Sequence, residues 1–371
     1  MTTTARRRAR FHELEVAEVR PLTADSIEVS FTVPPELHED YSYLPGQYVA
    51  LRAHVPDGRG GEHELRRSYS ICRPPAPGRI SVAIKKDLGG RFSTWAHESL
   101  TAGDRVDVMS PEGRFTTQLP DLDGAHLVGI AAGSGITPMM AVAHTVLAAN
   151  DTARFTLIYT NKSTLDVMFL EELAELKDRY PARLALHHVL SREQRAAPLL
   201  SGRIDGEKLR TMLDVLVRPE HVTEWFLCGP FELVELCRET LAERGVPAER
   251  VRYELFTSDT QHLDGDVGRP VVVRPDEETY RIDFTLDGLS ASVETPVSAQ
   301  ETILNAALRI RADVPFACAG GVCGTCRARL IDGTVQMSEN YALEPDELER
   351  GYILTCQSHP RTPTVKVDYD V

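Results

Sequence analysis

Residues 318–326 read CAGGVCGTC, which places three of the seven cysteines of this 371-residue chain, and three glycines, within nine positions. Cys318, Cys323 and Cys326 follow C-x4-C-x2-C, and Cys356 stands further on in GYILTCQSHP. That spacing suits a [2Fe–2S] cluster, which needs four thiolates converging on two irons. Gly320, Gly321 and Gly324 let the backbone curl around bridging sulfides without Cβ clashes. A structural zinc site is the alternative, but such sites pair two short C-x2-4-C units, and here the fourth cysteine stands alone.

The composition narrows the setting. A chain this long exceeds one ordinary core and implies two or three domains. A hydrophobic share of 42% predicts packed globular domains. With 41 basic against 55 acidic residues the formal charge is −14, which argues against nucleic acid as a partner. No apolar run reaches the roughly 18–20 residues of a membrane span, so no membrane partner is expected. The opening MTTTARRRARFHELEV lacks an apolar stretch after its arginines and reads as a solvated tail rather than an export signal. An odd number of cysteines without such a signal argues against a secreted disulfide framework and points to a cytoplasmic protein.

The elements that must position the cysteines, and whatever feeds them, follow from periodicity. Short alternating runs at Ile27–Val33, Tyr48–Ala53 and Ile80–Lys85, broken by Pro and Gly turns, predict antiparallel strands and a small β-barrel over residues 11–120. From there to residue 256 the pattern becomes strand, turn, helix. HLVGIA, FTLIYTN, LALHHVLS and WFLCGP are apolar strands, separated by helical stretches such as LEELAELKDR and ELVELCRETLAERG. That alternation predicts a parallel α/β sheet over 121–256. Residues 257–272 are polar and rich in Asp and Gly, as in a linker. Residues 273–371 make a compact α+β unit: a hairpin of Tyr280–Leu286 and Ser290–Glu294 around Asp287-Gly288, a helix in ETILNAALRI, the cysteine loop, and a closing strand VKVDYD. The fold class is therefore multidomain.

The cysteine loop resembles that of plant-type ferredoxins, and the surrounding strand–strand–helix order resembles their β-grasp fold. Upstream, Arg67-Ser68-Tyr69-Ser70, then Gly90-Arg91-Phe92-Ser93, then Gly133-Ser134-Gly135 with Thr137 and Pro138, then Cys228-Gly229-Pro230 stand in the order of the ferredoxin–NADP reductase superfamily. Each motif alone is weak; G-x-G-x-x-P, for one, departs from the Rossmann G-x-G-x-x-G. The order is specific, and the resemblance covers about residues 11–256.

That resemblance implies roles residue by residue. Arg67 pairs with a flavin phosphate, Tyr69 lies against the isoalloxazine and Ser70 reaches its N5. Gly90, Arg91, Phe92 and Ser93 offer N–H groups and a hydroxyl to a pyrophosphate at a helix start, which suits FAD, with FMN as the alternative. Gly133, Gly135, Thr137 and Pro138 approach the nicotinamide nucleotide, and Cys228 lies beside the carbon that gives up hydride. Glu254 and Phe256 stand against the flavin. Ser191 and Arg192 after a strand form the pocket for a 2′-phosphate, favouring NADPH over NADH, with Arg203 and Asn161-Lys162 as further contacts. Many relatives carry Gly and Arg where Thr160 and Lys162 stand here, a departure at the adenosine end. Cys72 and Cys237 fit no motif and read as core.

Three modules in this order imply one task. NADPH yields two electrons together, a cluster accepts one, and a flavin between them splits the pair. No set of histidines and carboxylates at metal-ligand spacing stands ready for oxygen activation, so the electrons leave for another protein. The stretch from FACAGGVCGTC to GYILTCQSHP, with its ENYAL segment, and GGRFSTWAHESL resemble the reductase subunits of phenylacetyl-CoA epoxidase complexes over nearly the whole chain. This implies a multisubunit di-iron oxygenase as partner, in phenylacetate catabolism. Reductases of Rieske-type oxygenases such as steroid 9α-hydroxylases share the module order and stay open as an alternative, as does a stand-alone redox carrier.

Overall fold

The structure, a computed structural model, describes residues 10–56, 62–87, 89–117, 119–256, 271–274, 276–311, 313–316 and 318–370. The expected N-terminal tail and residues 257–270 of the expected linker lie outside the described residues. The chain divides into two compact units, Met1–Glu64 with Tyr69–Phe256, and Leu65–Ser68 with Thr257–Val371.

The chain opens with β1 (Phe11–Thr23), β2 (Ser26–Thr32), β3 (Tyr48–Pro56), β4 (Glu62–Ser70, of which Leu65–Ser68 count with the second unit), β5 (Arg79–Lys85) and β6 (Arg105–Met109). They form a sheet in the order β4-β3-β6-β1-β2-β5. The pairs β1–β2, β1–β6, β2–β5 and β3–β6 are all antiparallel. Just past β4 the chain bridges to β5: Ile71 faces Val82, and Cys72 N–H donates to Ser81 O at 3.0 Å. That contact closes the sheet into the expected barrel, which removes the exposed edges an open sheet would leave. Its apolar interior includes Leu14, Val29, Phe31, Val49 and Val82. A single helix, α1 (Arg91–Ser99), sits between β5 and β6.

The first unit continues into β7 (His126–Ala132), β8 (Arg154–Asn161), β9 (Leu184–Leu190), β10 (Glu224–Gly229) and β11 (Val251–Leu255), alternating with α2 (Ile136–Ala149), α3 (Leu170–Arg179), α4 (Gly206–Met212) and α5 (Phe231–Glu243). The strand order is β11-β10-β7-β8-β9, and every pairing is parallel. The chain builds outward from β7 in one direction, then returns to its other side with β10. The strand order therefore reverses between β7 and β10, and open α/β sheets bind ligands at the carboxyl ends of such a pair. Helix α2 is buried along most of its length, from Ile136 through Ala143. It can be so apolar because it packs in a core shared with the barrel residues Cys72, Ala83 and Phe115. Cys237 is likewise buried, so both unassigned cysteines belong to the core as expected.

The second unit holds β12 (Thr279–Leu286), β13 (Leu289–Pro296), α6 (Ile303–Leu308), β14 (Arg327–Asp332), β15 (Val335–Met337), α7 (Pro345–Glu349), β16 (Tyr352–Leu354), β17 (Ser358–Pro360) and β18 (Thr364–Asp368). Its main sheet runs β13-β12-β18-β14-β16, with β12–β18 parallel and the other pairs antiparallel. The β12–β13 hairpin turns at Asp287 and Gly288, both with positive φ (56° and 70°), the geometry that Asp-Gly supplies. The carboxylate of Asp370 accepts both of their N–H groups, at 2.8 and 2.7 Å. Helix α6 is shorter than the run ETILNAALRI suggests, starting where Thr302 Oγ1 caps Asn305 N–H at 3.2 Å.

One buried base ties this fold to pH. His126, at the start of β7, bonds Thr156 Oγ1 through Nε2 at 2.8 Å. Burial, reinforced by the charge of Arg154, lowers its imidazole from 6.5 to about 4. The unfolded chain takes up this proton near 6.5 and the folded chain only near 4, so stability is present above that window and is lost as pH falls through it. His126→Gln should flatten the decline in urea midpoint between pH 7 and pH 5, which denaturation at both values would measure.

Candidate functional site

The turn after β7 is Gly133-Ser134-Gly135, a short 3-10 segment that leads straight into α2. A Cβ on Gly135 would lie 2.2 Å from the carbonyl oxygen of Cys228 and 2.9 Å from the nitrogen of Gly229. The turn and the Cys228-Gly229 peptide thus touch backbone to backbone at the carboxyl ends of β7 and β10, and only glycine fits. Gly133 has φ of +53° with open space where a side chain would stand. Its carbonyl accepts the hydroxyl of Tyr159 at 2.9 Å. Thr137 Oγ1 donates to Ser134 O at 3.0 Å and, with Pro138, is buried under the turn, so both shape the loop from below. The turn is thus closed against β10 at Gly135 and open at Gly133.

Beside it, three of the expected residues converge. Cys228 on β10 is in register with Glu254 on β11. Ser70, at the end of β4, donates from Oγ to Glu254 Oε2 at 2.7 Å. Burial pushes the Cys228 thiol well above its usual range, and the Glu254 charge adds to this, so it stays a neutral thiol. Phe256 is half-buried and packs against the core beneath this group. On the barrel side, the Tyr69 ring lies 5.8 Å from that of Phe92 at 41°. Phe92 is fully buried and packs in turn on Trp95 at 5.3 Å. Arg67 Nη1 donates to Arg66 O at 2.8 Å. Ser68 Oγ, in the same strand, is buried without a hydrogen-bond partner. Gly90 is the N-cap of α1, and Arg91 and Phe92 open its first turn. Ser93 accepts Asp87 N–H at 3.1 Å and donates to Gly90 O at 3.4 Å, so its hydroxyl shapes the loop that leads into α1.

Ser191 and Arg192 follow β9. Their N–H groups donate to Asn161 O (2.9 Å) and Lys162 O (2.8 Å), which extends the β8–β9 ladder and brings the two expected adenosine contacts side by side. Arg192, Lys162 and Arg203 are all exposed. Glu193 is turned away from them, accepting Thr164 N–H at 2.7 Å and Thr164 Oγ1 at 2.8 Å, so it does not neutralise Arg192.

In the second unit the four motif cysteines come together as two pairs. Cys318 donates to Cys323, which raises the first thiol and lowers the second. Cys356 bonds Cys326 and is raised by that bond and by burial. Among the described residues no three His, Cys, Asp or Glu side chains are gathered for one metal ion. Four thiols in two contacting pairs are the donor set that a [2Fe–2S] cluster takes. Gly320 N–H points at Cys318 Sγ (3.4 Å), and Thr325 N–H at Cys323 Sγ (3.5 Å). Gly321 (φ +77°) leaves room for the backbone of Glu339, 3.1 Å from where its Cβ would be.

Sequence reasoning missed the residues that brace these loops. Gln357 Nε2 donates to Ala319 O at 2.9 Å and holds the loop's left-handed corner, Ala319 (φ 52°). Thr325, which bonds Cys323, and Tyr159, which holds the glycine turn, were likewise not singled out. Adjacency to a ligand cysteine could have flagged Gln357 and Thr325; nothing local marks Tyr159.

Three family models match the chain: an oxidoreductase FAD-binding domain over residues 13–117, an oxidoreductase NAD-binding domain over 130–239, and a 2Fe-2S iron-sulfur cluster binding domain over 284–361. A subunit of 1,2-phenylacetyl-CoA epoxidase from Escherichia coli is 42% identical, across 97% of this chain and 98% of that protein. The ferredoxin reductase component of 3-ketosteroid-9-alpha-monooxygenase from Mycolicibacterium smegmatis is 36% identical, across 96% and 97%. Among solved structures, phthalate dioxygenase reductase has the same fold at 22% identity, with a TM-score of 0.59 over 96% of this chain and 98% of that one.

The backbone contact at the glycine turn is directly testable. Gly135→Ala should cost about 3–4 kcal/mol, the upper range for a point change, because the Cys228 peptide must move. Gly133→Ala meets no neighbour and should cost about 1–2 kcal/mol for its left-handed backbone alone. Urea denaturation of both variants measures the difference.

Proposed function

Since the chain belongs to the ferredoxin–NADP reductase superfamily with a C-terminal [2Fe–2S] domain, and within it to the family of the matching 1,2-phenylacetyl-CoA epoxidase subunit, we propose that it supplies electrons to such an epoxidase as its reductase. The electrons come from NADPH and leave for a multisubunit di-iron oxygenase acting on phenylacetyl-CoA. The relatedness over 97% of the chain, at 42% identity, is the observation that carries the reading. The domain limits we take are 11–120 for flavin, 121–256 for nucleotide, 257–272 for the linker and 273–371 for the cluster. No helix among the described residues is long and apolar enough to cross a membrane. We place the protein in the cytoplasm, where its ligand thiols stay reduced.

FAD accepts the two electrons of a nicotinamide hydride and releases them singly, and a [2Fe–2S] cluster carries one at a time. The chain's own residues bind and orient. Arg67 supplies positive charge for the flavin's diphosphate, and the N–H groups of Arg91 to Ser93 face it from the start of α1. Tyr69, braced by Phe92, would offer a ring face to the isoalloxazine, and Phe256 would stand against the flavin as well. The Ser70 hydroxyl, held by Glu254, is placed to hold a proton at the flavin's N5. Cys228, neutral and buried, is a compact apolar wall that keeps water from the nicotinamide, while Gly133, Gly135, Thr137 and Pro138 form the cradle beside it. Cys318, Cys323, Cys326 and Cys356 would hold the cluster, which would accept and pass on one electron at a time.

The preference for NADPH rests on Ser191 and on Arg192, an exposed guanidinium that Glu193 leaves unneutralised. Arg192→Ala should weaken NADPH binding by about 10–100-fold, the worth of a charged hydrogen bond, and NADH binding by far less. Titration of the oxidised protein with each nucleotide decides it; equal losses would remove the assignment.

The function is tested by reconstitution. This chain, candidate epoxidase subunits, phenylacetyl-CoA, oxygen and NADPH should give the ring epoxide, and omission of the chain should abolish it. Cys318→Ser should keep nucleotide-dependent bleaching of the flavin yet lose product. Reduction of the wild-type flavin and cluster without product, alongside a competent epoxidase, would move the partner to a Rieske-type oxygenase such as the steroid 9α-hydroxylases, to whose reductase component the chain is 36% identical. A cluster that dithionite reduces and NADPH does not would leave a stand-alone carrier.

A further inference from the structure

A four-charge network joins the barrel to the nucleotide-binding half of the first unit. Glu28 on β2 is almost fully buried and receives both Nε and Nη2 of Arg73, each at 2.5 Å. It also receives Arg20 of β1, through Nε at 3.2 Å and Nη2 at 2.6 Å. Both arginines reach further, to Glu172 in the first turn of α3: Arg73 Nη2 at 3.4 Å, and Arg20 Nη2 in a short bond. Each guanidinium is therefore shared between one carboxylate of the barrel and one of the nucleotide half.

The network sits at two sensitive points. Arg73 lies three residues beyond Ser70, on the same segment whose other end is fixed by the Ser70–Glu254 bond. Its guanidinium also stands 5.5 Å over the ring of Phe169. Phe169 is the N-cap of α3, held in a left-handed conformation (φ 58°) that an aromatic residue seldom adopts without support. Burial alone would raise both carboxyls; the arginines outweigh it at Glu28, and at Glu172 a backbone N–H does so together with the arginines, so both lie below the usual carboxylate range and the network is fully ionised near neutrality. Two positive and two negative groups then leave no net charge, and direction comes from the forked geometry of the guanidinium groups.

We propose that Glu172 is a positioning residue: through Arg73 and Arg20 it fixes the nucleotide-binding half against the barrel, and so sets the register between Ser70 and the Cys228–Glu254 pair. It touches no cofactor itself. The consequence for electron transfer rests on the function proposed above; the mechanical claim does not.

Glu172 is only partly buried, so Glu172→Gln keeps its shape without leaving an empty core. In nucleotide-free protein, hydrogen exchange of this variant should rise together over residues 70–73 and 170–179. In single-turnover reduction of the flavin, the limiting rate should fall about 10-fold or more while nucleotide affinity changes less than about 2-fold, since the loss is of alignment and not of contacts. Glu172→Asp, which retains the charge, should recover much of both. Exchange that rises in 170–179 alone, with an unchanged limiting rate, would overturn the proposal. If nicotinamide nucleotide fails to reduce the wild-type flavin, the functional reading falls, and the exchange pattern still decides the positioning claim.

Discussion

One hydrogen bond, from Ser70 Oγ to Glu254 Oε2, connects residues 184 positions apart in the chain. It joins the last position of a barrel strand to the outermost strand of the parallel sheet, and much of the site takes its form from it. A carboxylate in this protected setting needs a donor, and the serine is that donor. Fixed there, Glu254 lies level with Cys228, whose thiol is kept protonated first by burial and then by the carboxylate's charge. Cys228 in turn presents its carbonyl to the turn that must therefore contain Gly135. A chain of local requirements thus runs from barrel to sheet to nucleotide cradle, and each link is a contact too close to tolerate much substitution.

The larger architecture was legible because periodicity reports directly on burial. The barrel strands, the apolar cores of β7 to β10 and the helices α2, α3 and α5 announce themselves in their spacing. The Asp287-Gly288 hairpin could be read because few residues besides Asp and Gly accept two successive positive φ values. Composition also separated the polar run after residue 256 from the compact unit that follows it. What could not be read was length: the helix α6 ends earlier than its apolar spacing allows, since Thr302 sets its start and Arg309 no longer continues it.

The site was legible in part, for a different reason. Cysteine spacing encodes the cluster because a loop of fixed length must wrap it, so Cys318, Cys323 and Cys326 could be chosen with no knowledge of the fold. Cys356 and the flavin and nucleotide residues required an order of motifs and a resemblance. The bracing residues were invisible, because their role is defined only by what the fold brings beside them. Tyr159 serves the site through its hydroxyl on Gly133, and Gln357 through its amide on Ala319, and neither carries a pattern of its own. Arg20 and Glu28 look like ordinary alternating charges on a hairpin, and Glu172 like the first turn of any helix.

The strand order of the second unit has a temporal meaning. Its central strand, β18, is flanked by β12 and β14 and is synthesised after every other strand of that sheet. All four ligand cysteines emerge from the ribosome before it does. Until Val365 and Val367 arrive, β12 and β14 have no common neighbour, and the core around Cys326 and Cys356 lacks its middle. A nascent chain therefore carries its thiols for some time in a form that cannot yet grip a cluster in a closed pocket. A chain interrupted short of β18 would leave β12 and β14 without their shared neighbour and the core around Cys326 and Cys356 open.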